Sequence, residues 1–278
     1  MLNHNIYTQN DICVIGLGYV GLPMAAMFAK SGLRVFGADI DPNKILKLKS
    51  VESKFDEPGL EELLRNVIIN QNLLSVGLKP ISSQVYIICV PTPHHEETNE
   101  PDLRYLKDAI KQISEIVEPN QIIVIESTSP VGTSEKMISL LRDILSRKRH
   151  WSKDKIDSVG FAYCPERVLP GNAIFEIANN SRIIGANCDA TLIGVEKLYK
   201  RIVQGEFSKF SNLKSAELCK LAENSFRDVN IAFANEVDMV CRKYQLSTQE
   251  IIEACNKHPR VHILNPGIGV GGHCIPVD

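Results

Sequence analysis

DICVIGLGYVGLPMAAMFAK, residues 11–30, passes from a short apolar segment through a glycine-rich turn into a helical pattern. The apolar segment predicts a buried strand, and the run at 22–31 predicts the helix that follows it. In the turn, Gly16 permits a tight bend, Gly18 lets the backbone approach a pyrophosphate, and Gly21 allows helix and strand to pack closely. Because ordinary turns also match GxGxxG by chance, the interpretation depends on the sequence around it.

The next apolar segment ends in an acidic residue that supports a dinucleotide site. Asp39 lies about 20 residues beyond the turn, where an acid hydrogen-bonds the ribose 2′-hydroxyl of a bound dinucleotide. A carboxylate at this position favours NAD, because it would repel the 2′-phosphate of NADP. The pyrophosphate would lie against the amides at the helix N-terminus.

Strand and helix patterns alternate through the first two thirds of the chain. Apolar segments that are β-branched or aromatic, and bounded by Gly, Pro or Asp, predict parallel strands at 11–16, 33–39, 84–90, 121–126 and 159–164. Helical patterns lie at 22–31, 42–50, 58–70, 103–117 and 134–147. This alternation predicts an α/β fold with a Rossmann-like, doubly wound parallel sheet. The charged stretch 147–157 is expected to be a surface loop.

The pattern changes near residue 211. Residues 211–245 contain no Gly or Pro, and apolar residues recur every three or four positions, which predicts one long helix. A shorter helix is predicted at 247–257. Because a helix that long needs a surface to cover, we expect a helical central domain and a homodimer contact through this helix. The predicted domains are 1–208 and 209–278.

Composition and charge argue against several other classes of function. The 278 residues carry a net charge of −2, which gives no reason to expect nucleic acid or an anionic membrane as partner. No apolar run approaches the ~18–20 residues that span a bilayer. The eight cysteines form no CxxC pair, which favours a reducing cytoplasm over a disulfide framework or a metal site.

Two later strands end in turns that contain threonine. Thr92 lies in VPTP, residues 90–93, and Thr128 lies in STSPVG, residues 127–132. Ligands of open α/β sheets bind outside the carboxyl ends of the strands, so both threonines are candidates to face a cofactor. Ordinary turn and helix-cap chemistry of Ser and Thr is the alternative.

A further strand leads into YCPERVLPG, residues 163–171. Glu166 is thereby placed at the same edge of the sheet, where a carboxylate can act as a general acid or base. Arg167 is a candidate to hold an anionic group of a substrate. A solvated loop is the alternative.

On the long helix, Lys220 and Asn224 are four positions apart and share one face, which Arg227 extends by a turn. A lysine and an amide donor directed at one point can stabilise an oxyanion. Simple solvation of these polar side chains is the alternative.

The last stretch, PGIGVGGHCIPVD, places a cysteine after a glycine-rich loop. Four glycines in six positions allow a ligand to approach the backbone closely. Cys274 would then lie before a helix with Pro276 in its first turn, where amide dipoles lower the thiol pKa and favour a nucleophile. One more buried cysteine is the alternative. His273 is interpreted as structural, because adjacent side chains usually point apart.

Together these motifs resemble the UDP-glucose/GDP-mannose dehydrogenase family across essentially the whole chain. The phrases that carry the resemblance are ESTSPVG (126–132), YCPERVLPG (163–171), AELCKLAENSFRDVNIAFANE (216–236), HPRV (258–261) and GVGGHCI (269–275). They look most like the branch of UDP-N-acetyl-D-mannosamine dehydrogenases of bacterial surface-polysaccharide synthesis. The resemblance implies a four-electron oxidation of a sugar CH2OH to a carboxylate, with two turnovers of NAD.

The resemblance also implies catalytic roles. Cys274 would capture the aldehyde as a thiohemiacetal, which the second oxidation converts to a thioester. Lys220 would assist proton transfer and stabilise oxyanions, with Asn224 as a further donor. Asp278 would work with Lys220 through water, and Glu166 would be the acid/base of thioester hydrolysis.

Binding roles follow in the same way. Those implied for the UDP-sugar fall on Arg167, Val168, Lys220, Asn224, Arg227, His258, Arg260 and Gly271. Those implied for NAD fall on Gly16, Gly18, Tyr19, Val20, Gly21, Asp39, Thr92 and Thr128.

One position bears on the substrate. The UDP-glucose branch usually carries a second Glu four positions after the motif glutamate, where this chain has Pro170. The difference favours oxidation of UDP-N-acetyl-D-mannosamine to UDP-N-acetyl-D-mannosaminuronate. The alternatives are a dehydrogenase of another UDP-hexose or UDP-N-acetylhexosamine, a catalytically silent NAD-binding fragment, and a two-electron β-hydroxyacid dehydrogenase, which needs no such cysteine.

Family members continue beyond the nucleophile into a third, Rossmann-like domain that supplies much of the UDP site. This sequence ends at Asp278. We therefore expect a truncated chain that binds NAD and, on its own, shows weak or absent catalysis.

Overall fold

The computed structural model describes residues 10–51, 57–95, 98 and 100–267. The chain divides into two compact units between Glu217 and Leu218. None of the helices in the described part of the chain combines the length and apolar character that a membrane span requires.

The first unit is built on one eight-stranded sheet. In chain order its strands are β1 (Asn10–Ile15), β2 (Val35–Ala38), β3 (Leu74–Gly77), β4 (Ser83–Ile88), β5 (Ile122–Ile125), β6 (Gly160–Tyr163), β7 (Arg182–Ala186) and β8 (Phe207–Phe210). Their spatial order is β3-β2-β1-β4-β5-β6-β7-β8, and all neighbours are parallel except β6 and β7. The predicted α/β fold with a doubly wound parallel sheet is confirmed, with the antiparallel pairing of β6 and β7 as the one departure among the described strands.

Helices connect the strands of the first unit. They are α1 (Gly21–Lys30), α2 (Pro42–Ser50), α3 (Leu60–Leu64), which continues as a π-helical turn over Arg65–Asn70, α4 (Arg104–Ile116), α5 (Thr133–Arg149), α6 (Lys153–Asp157), α7 (Ala173–Asn179) and α8 (Asp189–Tyr199). Helix α9 (Leu213–Lys243) begins in this unit and continues into the second, where α10 (Thr248–Asn256) follows it. The prediction of one unusually long helix is confirmed over 31 residues.

The core lies where α1 covers the centre of the sheet. Ile12, Cys13 and Val14 of β1 have no exposed surface, because β1 is an inner strand of a sheet with helices packed over it. Helix α1 is apolar almost all round, since it packs on β1 and β2 and also against α3 and α7. Burial raises the pKa of the Cys13 thiol to about 12, so this cysteine acts as a small apolar side chain.

The interpretation of 147–157 as a charged surface loop is wrong. Helix α5 continues to Arg149, and α6 lies within the predicted loop. The junction is held by Trp151, whose ring centre lies 4.6 Å from the Arg149 guanidinium carbon and 5.4 Å from Lys155 Nζ. These cation–π contacts let the flanking charges pack on an apolar ring, which a count of charges does not show.

Candidate active site at the carboxyl edge of the sheet

The strand order of the first unit creates a crevice beside β1. From β1 the chain first forms β2 and β3 on one side and then returns to form β4 on the other side, so the strand order reverses at β1. Doubly wound sheets bind ligands outside the carboxyl ends of their strands at such a point. The loops that follow the parallel strands β1, β2, β4, β5 and β6 all lie at this edge.

The glycine-rich turn after β1 leaves its backbone open on one side. Gly16 has a φ of +91°, and a Cβ at that position would lie 2.6 Å from the carbonyl oxygen of Cys89. A Cβ on Gly21 would lie 1.9 Å from the carbonyl oxygen of Gly16. A Cβ on Gly18 would meet no atom of the described residues within 4 Å. A pyrophosphate therefore fits against Gly18 and the amides at the start of α1.

Asp39, directly after β2, is held in place by hydrogen bonds. Its Oδ2 accepts from the backbone N of Leu17 at 2.9 Å and from Lys44 Nζ at 2.8 Å, and its Oδ1 accepts from the backbone N of Asp41 at 3.0 Å. Burial raises the pKa of Asp39, but these donors outweigh burial and hold the pKa below its usual value. An ionised carboxylate is thus fixed beside the turn, an arrangement that fits the ribose of NAD.

A cavity of about 510 Å³ opens beside the same turn. Its lining includes Gly18, Tyr19, Lys44, Glu57 and Pro170. Small-molecule sites occupy roughly 300–1,000 Å³, so this cavity has room for part of a dinucleotide. The lysine supplies a cation near a polyanionic ligand, and the proline brings the loop after β6 to the cavity wall.

The loops after β4 and β5 are joined by hydroxyl hydrogen bonds. Thr92 Oγ1 donates to the carbonyl oxygen of Thr128 at 2.6 Å, and Ser127 Oγ donates to the carbonyl oxygen of Val90 at 2.6 Å. Both threonines predicted to face a cofactor therefore lie together at the carboxyl edge. Ser129 Oγ donates to the carbonyl oxygen of Ser127 at 3.0 Å, so turn chemistry is also present.

A buried carboxylate on α9 closes the N-terminus of α5. Glu217 has no exposed surface and accepts from the backbone N of Gly132 at 2.6 Å and of Ser134 at 2.7 Å. The first amides of a helix are usually capped by a neighbouring side chain. Here the capping residue lies 85 positions from Gly132, and no sequence motif indicates a pairing at that separation.

Glu217→Ala is expected to lower the free energy of unfolding by about 2 kcal/mol, because two amides lose charge-assisted acceptors. Urea unfolding followed by circular dichroism measures the change. Glu135→Ala is the matched control, since Glu135 Oε2 and Lys214 Nζ pair at 2.7 Å between the same two helices but are exposed. The control is expected to lose less than about 1 kcal/mol. Equal losses would contradict the role given to the buried carboxylate.

Glu166 follows β6 and is 6% exposed. Its Oε2 accepts from the backbone N of Val168 at 2.8 Å, and its backbone N donates to the carbonyl oxygen of Glu126 at 3.4 Å. The alternative of a solvated side chain is therefore wrong for Glu166. A carboxylate that is buried at the carboxyl edge can take or give a proton there.

Distant side chains hold the rest of the loop after β6. Asn180 Nδ2 donates to the carbonyl oxygen of Arg167 at 2.7 Å, and Arg167 Nη1 donates to the carbonyl oxygen of Ser181 at 2.9 Å. Glu57 Oε2 accepts from the backbone N of Gly171 at 2.9 Å across 114 residues. One predicted substrate-binding group, Arg167, therefore also fastens its own loop, and Glu57 links that loop to the cavity wall.

In the second unit, the polar residues of α9 differ in exposure. Lys220 and Asn224 are 5% and 6% exposed, whereas Arg227 is exposed. Simple solvation is therefore wrong for Lys220 and Asn224. A buried lysine and a buried asparagine on one helix face can both donate hydrogen bonds to an oxyanion.

Asparagines on α9 hold the segment that follows α10. Asn230 Nδ2 donates to the carbonyl oxygen of His262 at 2.8 Å, and Asn235 Oδ1 accepts from the backbone N of Gly267 at 2.9 Å. No motif in the sequence predicts a role for these asparagines. The only available signal is their repetition in a helix, where asparagine is a poor helix former.

The remaining predicted residues lie near or beyond the end of the described chain. His258 and Arg260 are exposed, and His258 Nδ1 accepts from the backbone N of Arg260 at 3.3 Å. Gly271, Cys274 and Asp278 lie outside the described residues. Among the side chains that the structure does describe, no group of three or more His, Cys, Asp or Glu could hold a metal ion.

Comparison with known proteins gives a consistent family. Residues 10–203 match the NAD binding domain of the UDP-glucose/GDP-mannose dehydrogenase family, and residues 214–278 match its central domain. A UDP-N-acetyl-D-mannosamine dehydrogenase of Campylobacter jejuni is 43% identical over 272 residues, which are 97% of this chain and 66% of that protein.

Solved structures share the architecture. The UDP-D-ManNAc dehydrogenase of Pyrococcus horikoshii matches with a TM-score of 0.87 and 42% identity over 96% of this chain and 62% of that one. A UDP-glucose dehydrogenase of Pyrobaculum islandicum matches with a TM-score of 0.82 and 27% identity over 100% of this chain and 63% of that one. The chain thus spans less than two thirds of the length of these relatives.

Proposed function

This chain belongs to the UDP-glucose/GDP-mannose dehydrogenase family, and we propose that it forms the NAD-binding and central domains of a UDP-N-acetyl-D-mannosamine 6-dehydrogenase. The limit predicted between 208 and 209 falls within β8 (Phe207–Phe210), so we propose that the boundary of the two domains lies after β8; the matched ranges 10–203 and 214–278 are compatible with that position. The same proposal places the protein in the cytoplasm, as a supplier of a uronate for surface-polysaccharide synthesis.

The observation that carries the proposal is the arrangement of the first unit. One edge of its sheet presents an open glycine turn at Gly18, the fixed carboxylate of Asp39 and the buried carboxylate of Glu166. The first two fit a dinucleotide, and the third supplies acid/base chemistry on the same edge. A protein that only bound a nucleotide would not need the buried carboxylate of Glu166.

The chemistry oxidises a primary alcohol to an acid. The glycine turn at Gly18 and the Asp39 carboxylate would hold NAD, which would supply the hydride acceptor for both oxidations. Between them, the Cys274 thiolate adds to the aldehyde carbon, so the aldehyde is held as a thiohemiacetal and then becomes a thioester. Water then displaces the thiol, and Glu166 accepts the proton that this water loses. The role proposed for Lys220 and Asn224 is to donate hydrogen bonds to the oxygen that gains negative charge. Each sugar consumes two NAD⁺ and one water and releases two NADH and three protons.

The function is tested by supplying a panel of UDP-sugars with NAD. We expect UDP-N-acetyl-D-mannosamine to exceed UDP-glucose in kcat/KM by roughly 10–200-fold, the range that local pocket contacts supply. Two NADH should form per sugar oxidised. Both residues 1–278 and the product of the complete open reading frame are assayed by absorbance at the NADH band and by mass spectrometry of the product. No NADH from any sugar with either protein would refute the function.

Cofactor choice gives a second test. Asp39→Asn is expected to shift the ratio of NADH to NADPH affinity by roughly tenfold towards NADPH, because one repelling charge is removed and Lys44 loses its partner. Fluorescence titration with both cofactors measures the ratio. Asp108→Asn is the matched control: Asp108 Oδ1 and Lys111 Nζ also form a Lys–Asp pair at 2.8 Å, but this pair is exposed on α4 and does not line the cavity. A ratio unchanged in Asp39→Asn would contradict the ribose assignment.

We also propose a homodimer through α9. Apolar residues on this helix in the second unit are exposed, among them Phe226, Val229, Phe233 and Val240, at 54–67%. They are spaced three, four and seven residues apart, so they form one apolar stripe along the helix. Exposing such a stripe to water is unfavourable, which favours a partner that covers it. Sedimentation that shows only monomer at micromolar concentration would contradict this partner.

A further inference from the structure

A buried ionic cluster lies beneath the loop that carries Glu166. We call it the Arg182 cluster, and it consists of Arg182, Glu126 and Tyr199. The side chains of Arg182 and Glu126 are each 1% exposed, and Arg182 Nη1 lies 3.2 Å from Glu126 Oε2. The Tyr199 hydroxyl donates to Glu126 Oε1 at 2.5 Å, and the Arg182 guanidinium carbon lies 5.6 Å from the Tyr199 ring centre.

Stability alone is a poor explanation for the Arg182 cluster. Removing two charges from water is costly, and apolar side chains of similar volume often replace a buried ion pair without loss of stability. Arg182 adds to the cost, because its Nη2 is buried and has no hydrogen-bond partner among the described residues. A role in positioning the neighbouring backbone would explain why a buried ion pair is present here.

The Arg182 cluster holds both ends of one peptide group. The carbonyl oxygen of Pro165 accepts from Arg182 Nη1 at 3.5 Å, and the backbone N of Glu166 donates to the carbonyl oxygen of Glu126 at 3.4 Å. The carbonyl oxygen of Pro165 and the backbone N of Glu166 belong to the same peptide group, the one that joins Pro165 to Glu166. Each contact is long and therefore weak alone. The guanidinium that makes the contact to Pro165 also pairs with Glu126 and lies over the Tyr199 ring.

We propose that Arg182, held by Glu126 and Tyr199, is a positioning residue for Glu166. By fixing the plane of the Pro165–Glu166 peptide, it sets the direction in which the Glu166 carboxylate leaves the backbone. The bond from the backbone N of Val168 to Glu166 Oε2 then holds the carboxylate in that direction. This inference rests on the proposed acid/base role of Glu166, and it adds a residue that no motif contains.

Hydrogen exchange measured by mass spectrometry tests the proposal on residues 1–278 without NAD or sugar. Arg182→Met alone leaves a buried carboxylate uncompensated, so the decisive protein is the double variant Glu126→Gln/Arg182→Met. The amides of Glu166 and Val168 are expected to exchange about tenfold faster, while peptides from α1 and α5 keep their rates. Tyr199→Phe, which removes only the hydroxyl, is expected to give the same pattern with a rise of about threefold.

Arg149→Met is the matched control. Arg149 also pairs with a glutamate, Glu118, at 2.8 Å and donates to the carbonyl oxygen of Val117, but it lies at the end of α5. Its loss is expected to leave the exchange of the Glu166 loop unchanged. In all variants the Kd for NAD is expected to stay within about twofold, which a general loosening of the unit would not allow.

Loop exchange within about twofold of the unaltered protein in both cluster variants would overturn the proposal. So would an equal rise in α1 and α5, or in the Arg149→Met control, because the cluster would then act through overall stability. The two hypotheses fail separately. A failed sugar panel removes the chemical role of Glu166, whereas a failed exchange experiment removes only its positioning by Arg182.

Discussion

Gly21→Ala is expected to weaken NAD binding by at least about 100-fold and to destabilise the first unit by about 3 kcal/mol. The added Cβ would lie 1.9 Å from the carbonyl oxygen of Gly16 and 3.0 Å from the Cβ of Cys89. Neither can move cheaply, because one is backbone of the turn and the other follows β4. Helix α1 must then shift away from the crevice, together with its N-terminal amides. Titration with NADH and urea unfolding measure the two effects.

Gly18→Ala is the matched control within the same turn. Its Cβ would meet no described atom within 4 Å, so the free energy of unfolding is expected to change by less than about 1 kcal/mol. Affinity for NAD is nevertheless expected to fall by roughly tenfold, since the methyl group would occupy space that a pyrophosphate needs. Unchanged affinity in Gly18→Ala would place the dinucleotide elsewhere, and a stable Gly21→Ala with full affinity would contradict the packing argument.

The central part of the fold was predictable because its signals are local. The apolar strands and the glycine turn around residues 11–30 fix β1, α1 and the crevice, and the absence of Gly and Pro over 211–245 fixes α9. Strands β3, β7 and β8 were not predicted. β3 places the exposed Ser75 between its apolar residues, and β8 exposes Ser208 and Lys209, so neither contains a continuous apolar run. β7 runs antiparallel to β6, although α7 precedes it and α8 follows it, so the strand–helix alternation continues here and only the direction of the strand departs from the predicted parallel sheet.

The candidate site was predictable where its chemistry lies in one motif. The positions of Asp39, Thr92, Thr128 and Glu166 at one edge follow from parallel strands ending together. The side chains that hold these loops come from elsewhere: Glu57 acts across 114 residues. No periodicity or spacing rule reports such pairs, because contact at that separation depends on the finished fold.

The burial of Lys220 and Asn224 also could not be predicted from the sequence. Their spacing indicates a shared helix face, but the sequence does not say whether that face meets water or protein. Solvation was a reasonable alternative for a lysine on a helix, since lysine is seldom fully buried. Their exposures of 5% and 6% exclude solvation, and buried donors of this kind can stabilise a negative charge that develops on an oxygen.

Cys274→Ala is expected to lower the rate of acid formation by at least about 10⁴-fold, the scale on which removal of a catalytic nucleophile acts. In the proposed mechanism, loss of the thiol leaves the aldehyde without a covalent anchor between the two oxidations, so that no thioester forms. NADH per sugar should fall from two to at most one, because only the first hydride transfer is independent of the thiol. The product of the complete open reading frame is assayed with UDP-N-acetyl-D-mannosamine, and uronate is quantified by mass spectrometry.

Cys255→Ala is the matched control for that loss, since Cys255 is an exposed free thiol on α10 and no step of the proposed chemistry uses it. It is expected to keep two NADH per sugar. Mass spectrometry of the intact protein during turnover should show a sugar adduct in Cys255→Ala and none in Cys274→Ala, because only a nucleophile at position 274 becomes acylated. Uronate formed at an undiminished rate by Cys274→Ala would mean that the aldehyde is oxidised without a thioester, and the covalent route would have to be abandoned even if the NAD site and the UDP-sugar preference were both correct.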